Sequence, residues 1–187
     1  MPAPQRRFEP AVIERLFREP YRFEYVQAVR MLELWLRRRG KPARGLVSQY
    51  LRFENSVSLG FPPSQIEAVQ AEPRDIATQP PALAAALGEG RLRHVRLTPS
   101  FMGLLGGQGV LPLHYTERIA EHQYQEKGEP EAEGARAFLD SFSNRSLALF
   151  YEAWRKYRLA LQYQPGGEDG FMTILLSLAG LGDKALR

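Results

Sequence analysis

The chain has 187 residues, 44% of them hydrophobic and 11% aromatic, and carries a formal net charge of +4. That length is enough to bury a genuine core, and the apolar content excludes a disordered chain. With no cysteine, a disulfide scaffold and a thiolate zinc site are both excluded.

The charge is unevenly placed. Residues 1–44 hold eleven basic and five acidic side chains, whereas the rest hold fourteen and sixteen. A basic arm of this kind suits an acidic counterpart, and nucleic acid, anionic lipid and an acidic protein surface all qualify. Arg6 and Arg7 have no apolar run behind them, so no secretory signal is expected. The last apolar stretch, Phe171 to Leu181, is too short to span a bilayer and is broken by Gly180. The expectation is a cytoplasmic protein without direct membrane insertion.

In chain order, Phe8 to Glu19 predicts a short helix with Val12, Ile13, Leu16 and Phe17 on one stripe, ended by Pro20. Tyr21 to Arg39 predicts a longer helix on Tyr25, Val29, Leu32 and Leu36. Arg37, Arg38 and Arg39 fall in its last turn, where cations suit the negative end of the helix dipole. The period then changes. Leu51 and Phe53, then Val57, Leu59 and Phe61, alternate with polar residues and predict two short strands before Pro62-Pro63. Ile66 to Val69 continues as a polar-apolar piece. Pro73 to Gly90 reads as a connector with one helical turn at Ala82 to Leu87, and Leu92 to Leu97 as a weaker strand.

Gly103, Gly106, Gly107 and Gly109 mark Phe101 to Pro112 as a flexible centre. Thr116 is placed to cap a helix running to about Glu126, and an acidic loop follows it to Gly134. Arg136 to Tyr163 predicts the longest helix, with Phe138, Phe142, Leu149, Ala153 and Tyr157 as its packing stripe and Pro165-Gly166-Gly167 as its stop. A last apolar helix begins near Phe171, and its packing partner is expected to lie outside the chain.

No chemistry assembles convincingly. Gly106-Gly107-Gln108 matches the tripeptide of peptidyl-tRNA-hydrolysing release factors, but a three-residue match is expected by accident. As a phosphate cradle the same loop lacks a following Lys-Ser or Lys-Thr and a clear βαβ frame. His114, Glu117 and Glu121 share a helix face, yet a dimetal site needs a second Glu-x-x-His pair that the chain lacks. Asp140, Ser141 and Arg145 place acid, hydroxyl and cation on neighbouring turns, and with no histidine nearby in sequence they read as a polar cluster that fixes the helix. The aromatic-basic run from Tyr151 to Arg158 has the composition of single-strand binders, but its rings lie on or beside the packing stripe, and the packing reading outweighs it.

Four blocks in order resemble one family: Tyr21 to Glu33, Leu51 to Pro62, Phe101 to Gly106 running on to Leu111-Pro112 and Tyr115-Thr116-Glu117, and Phe138 to Arg158. The chain is similar to TssG (ImpH, VasB), the baseplate subunit of bacterial type VI secretion. Where the family often has a histidine before the arginine of the last block, this chain has Asn144. Members are usually much longer, so the resemblance implies an N-terminal portion. It also implies a non-enzymatic part without cofactor or metal, binding TssF-like, TssE-like and TssK-like proteins and no nucleic acid. The alternative is an RNA- or anion-binding module using the basic N-terminal arm.

The expected fold is therefore α+β, mostly helical, with a few short antiparallel strands in the middle. Residues 1–45 form a helical arm, 46–115 a strand-containing region with the glycine-rich turn, and 116–187 a helical region. Leu111, Pro112, Tyr115, Phe150, Tyr151 and Trp154 are the expected partner-binding residues, because aromatic anchors dominate such interfaces.

Overall fold

The computed structural model describes residues 10–42, 45–126, 130–158 and 170–181. Helix α1 (Pro10–Arg18) opens on a proline, whose missing N–H costs nothing at a helix start, and buries Ile13, Leu16 and Phe17. A 3-10 turn at Pro20–Arg22 leads into α2 (Tyr25–Arg37). Tyr25, Ala28, Val29, Leu32 and Leu36 fall three and four apart and are fully buried. Each of the larger ones contributes roughly 2 kcal/mol by leaving water. Glu33, also buried, lies between Arg30 at 3.2 Å and Arg37 at 2.7 Å. Arg39 donates to the Trp35 carbonyl at 3.4 Å and lies 4.4 Å over its ring. Those arginines of the basic arm are thus engaged within their own helix.

A one-turn helix α3 (Leu46–Tyr50) feeds β1 (Leu51–Phe53). Strand β2 (Ile66–Glu72), helix α4 (Pro80–Gly88) and strand β3 (His94–Pro99) follow, and the sheet order is β1-β3-β2. The α+β class holds, but the sheet is mixed: β2 runs antiparallel to β3 and β1 runs parallel to it. The expectation of antiparallel strands missed this because 40 residues with their own strand and helix separate β1 from β3, room for a crossover. Register puts Phe53, Leu97 and Val69 on the buried face and Arg52, Arg96 and Gln70 on the other. Tyr25 packs on Phe53 with ring centres 5.5 Å apart and on Phe101 at 5.2 Å, which ties α2 to the sheet.

The strand expected at Val57 to Phe61 does not form. Serine side chains there capture backbone N–H groups: Ser58 N–H donates to Ser56 Oγ at 3.1 Å and Gly60 N–H to Ser58 Oγ at 3.3 Å. Such local bonds compete with ladder pairing, and Leu59 and Phe61 are left exposed.

Helix α5 (Leu113–Gln125) begins three residues before Thr116, which is no cap: it is buried, and its Oγ1 accepts the Gly106 N–H at 3.1 Å. A 3-10 turn at Pro130–Glu133 precedes α6 (Gly134–Lys156), the longest helix among the described residues. It ends short of Tyr163 because Arg158 N–H turns back to the Arg155 carbonyl at 3.1 Å; Pro165-Gly166-Gly167 lie outside the described residues. Helix α7 (Gly170–Leu178) is the last among the described residues. The described residues up to Ala148 form one compact unit and those from Leu149 a second. No helix among the described residues is long and apolar enough to cross a membrane.

Candidate interaction surface

β1 is an edge strand, so its outer N–H groups need partners. Side chains of α6 supply them. Phe53 N–H donates to Asn144 Oδ1 at 3.0 Å, and Asn55 N–H to Asp140 Oδ1 at 2.6 Å. Asn144 is therefore a structural tie to β1.

Asn55 is the hub of this joint. It is buried, and its Nδ2 donates to Asp140 Oδ1 at 2.7 Å. Its Oδ1 accepts the Leu104 N–H at 2.7 Å, the Leu105 N–H at 3.5 Å and the Ser143 hydroxyl at 2.8 Å. Arg136 donates to the Asn55 carbonyl at 2.8 Å, and Tyr25 OH to the Leu147 carbonyl at 2.8 Å. One amide thus holds the sheet edge, α6 and the glycine-rich loop together. Burial pushes the Asp140 carboxyl above its ordinary range, against the opposing pull of the Asn55 and Arg136 donors.

Arg136, Asp140, Ser143, Asn144 and Leu147 recur at three and four and face inward. The predicted packing stripe of the first unit is consequently the outer side: Phe138 is 66% and Phe142 53% exposed, their rings edge to face at 5.2 Å. Beside Phe142 lies a small cavity of about 150 Å3 walled by Met102, Leu104, Val110, Ser146 and Leu147.

The glycine-rich segment is tied down on the inside of the same unit. Gly106 takes φ +92°, and a Cβ on Gly109 would come within 2.6 Å of the Leu104 carbonyl. Val110 N–H donates to the Gly103 carbonyl at 3.2 Å and Leu111 N–H to Leu104 at 3.0 Å. The folded-back loop presents Val110, 82% exposed, with Pro112, Leu113 and Tyr115 also exposed and Leu111 half-buried.

Of the residues expected in the second unit, Phe150 is 40% exposed and Trp154 half-buried, while Tyr151 is fully buried and offers no accessible ring. Trp154 stacks on Tyr151 at 6.4 Å, with Arg158 4.1 Å above it. Helix α7 exposes Ile174, Leu175 and Leu178, and Leu181 follows it exposed. The sequence reading missed Phe138, Phe142 and Val110 as surface residues. Periodicity places the first two on the packing stripe, and only the polar residues Asp140, Ser143 and Asn144 on the other side of the helix point the other way.

The remaining chemical candidates are committed elsewhere. His114 lies tilted against Tyr115 with ring centres 4.4 Å apart, Glu121 accepts the Gln125 amide at 3.1 Å, and His122 lies 3.5 Å from Glu126. Among the described residues no group of three His, Cys, Asp or Glu is placed to hold a metal ion. Ser141 donates to the Phe138 carbonyl at 2.6 Å.

A family model described as type VI secretion, TssG, matches residues 19–187. Neither a curated protein nor a solved structure matches the chain. The matched span includes the Asn55 joint, the glycine-rich loop and the whole of α6, and the chain belongs to the TssG family of type VI secretion baseplate subunits.

Proposed function

We propose that this subunit works without catalysis, binding TssF-like, TssE-like and TssK-like proteins into the wedge that nucleates the contractile sheath and inner tube. The assembly docks on the membrane complex indirectly, through those partners. One observation supports this above the others: α6 is fastened by its polar side and leaves Phe138 and Phe142 outward, with Val110 and Phe142 walling one small cavity. Large apolar side chains clustered on a surface signify an interface, and each aromatic ring buried there is worth roughly 2 kcal/mol. Pro112, Tyr115 and Phe150 extend the set of accessible candidates, with Trp154 half-accessible.

The test is co-expression with a TssF-like protein from the same genome. Phe138→Ser with Phe142→Ser should cut the recovered partner at least tenfold while leaving the thermal midpoint within a few degrees of the parent. Full recovery of the partner by the folded double variant would refute the assignment of this face.

A further inference from the structure

The sheet face opposite the core holds arginines that the fold does not satisfy. Register sets Arg52 directly beside Arg96, a like-charge pair that destabilises the bare sheet. Arg96 is fully engaged: it donates to Glu54 at 2.7 Å and to both oxygens of Glu72 at 2.8 and 3.1 Å. Arg136 is shared among Glu54, Asp140 and the Asn55 carbonyl. Among the described residues Arg52 has no carboxylate partner and donates only to the Ser48 and Leu51 carbonyls, at 2.7 and 3.1 Å. The Arg74 and Arg93 side chains are exposed and make no ion pair or hydrogen bond among the described residues.

These side chains border two adjoining grooves. One of about 650 Å3 is lined by Arg52 and His94, and one of about 580 Å3 by Arg91 and Arg93; both are walled by Glu72, Arg74, Arg96 and Glu133. Among the described residues the Arg91 side chain makes only loose, exposed pairs with Asp75 at 3.5 Å and Glu89 at 3.8 Å. The positive field reaches His94, which burial first and then Arg52 hold below the ordinary imidazole range.

We propose that the two grooves together are a docking site for an acidic polypeptide segment, whose carboxylates pair with Arg52, Arg74 and Arg93. Guanidinium forks match carboxylates in geometry, and one incoming carboxylate beside Arg52 relieves the Arg52–Arg96 repulsion. Nucleic acid fits less well. Apart from the buried Phe53, no Phe, Tyr or Trp lines either groove, so bases would find only the half-buried His94 ring to stack on. The site is independent of the apolar face of α6.

The experiment is fluorescence anisotropy of a labelled, end-capped decaglutamate peptide titrated with the full chain at low salt. Saturable binding is expected, weakened roughly tenfold by Arg74→Ser with Arg93→Ser and unaffected by Arg145→Ser on α6. An unchanged melting midpoint for the double variant establishes that it is folded. Affinity equal to the parent in that variant overturns the proposal. So does a ten-nucleotide thymidine strand that binds as tightly as the peptide and is lost in the same variant. The Phe138→Ser, Phe142→Ser protein should bind the peptide like the parent, so a failure of one surface is distinguishable from a failure of the other.

Discussion

Helices α2 and α6 both carry an apolar stripe at helical spacing, and they turn it in opposite directions. In α2 the stripe of Tyr25, Val29, Leu32 and Leu36 is the buried side. Along Phe138 to Leu147 of α6 the buried side carries Asp140, Ser143 and Asn144, and the rings point out. The two helices are attached by different forces. Apolar burial is large and indifferent to orientation. Hydrogen bonds contribute about 1 kcal/mol net each but are costly to break and fix one geometry. An element held by the second force keeps its apolar side available, as a baseplate subunit that must join neighbours requires.

The largest expected effect follows from that contrast. Leu32→Ala opens a cavity under a fully buried side chain and should cost about 3 kcal/mol in urea unfolding. Phe142→Ala, although it removes the larger side chain, should cost no more than about 0.5 kcal/mol because the ring is already in water. Comparable losses in the two variants would mean that the outward face of α6 contributes to the fold, and the contrast would collapse.

An intermediate effect belongs to the joint. Asp140→Ala leaves the Asn55 N–H and Nδ2 without their acceptor and should cost about 2 kcal/mol. Asp140→Asn keeps an oxygen in that place and should cost clearly less. If both variants unfold at the same urea concentration, acceptance by Asp140 is not what fastens α6.

Much of this architecture can be read locally. Pro20 and the glycine after α2 mark real ends, and the alternation at Leu51–Phe53 and Val95–Leu97 marks real strands. The rest depends on partners distant in sequence. Asn55 looks like any loop asparagine, because Asp140 and Ser143 are 85 and 88 residues away. β2 extends through Gln70 and Glu72, which earn strand conformation only by pairing with β3. Val57, Leu59 and Phe61 have the period of a strand, but the serines between them turn the backbone elsewhere. Of the candidate surface, the glycine spacing flagged the loop at Leu111-Pro112. Periodicity also found the stripe on α6, but a stripe does not state which of its two sides faces inward; that depends on the polar side having a sheet edge to satisfy.

The smallest effect is a difference in pH dependence, and it tests whether the polar side of α6 is desolvated as the comparison requires. Glu72, bound by Arg96, has its carboxyl held below the ordinary 4.5 by that hydrogen bond, so it adds stability above this value that fades as pH falls. Glu72→Gln should therefore lose about 0.5 kcal/mol at pH 7 and progressively less toward acid, since the pair is partly screened. Asp140 has the opposite sign. Burial holds its carboxyl above the ordinary 3.8, so its ionised form is a burden to the fold that grows as pH rises through the folded value. Asp140→Asn removes the titration, and its stability relative to the parent should improve from acid toward pH 7, where Glu72→Gln worsens. Denaturant midpoints for the three proteins at several pH values check the crossing. Parallel profiles would show that Asp140 is as well hydrated as the partly exposed Glu72. The joint would then hold α6 by ion pairing at a wet surface, with no geometric reason for its rings to stay outward.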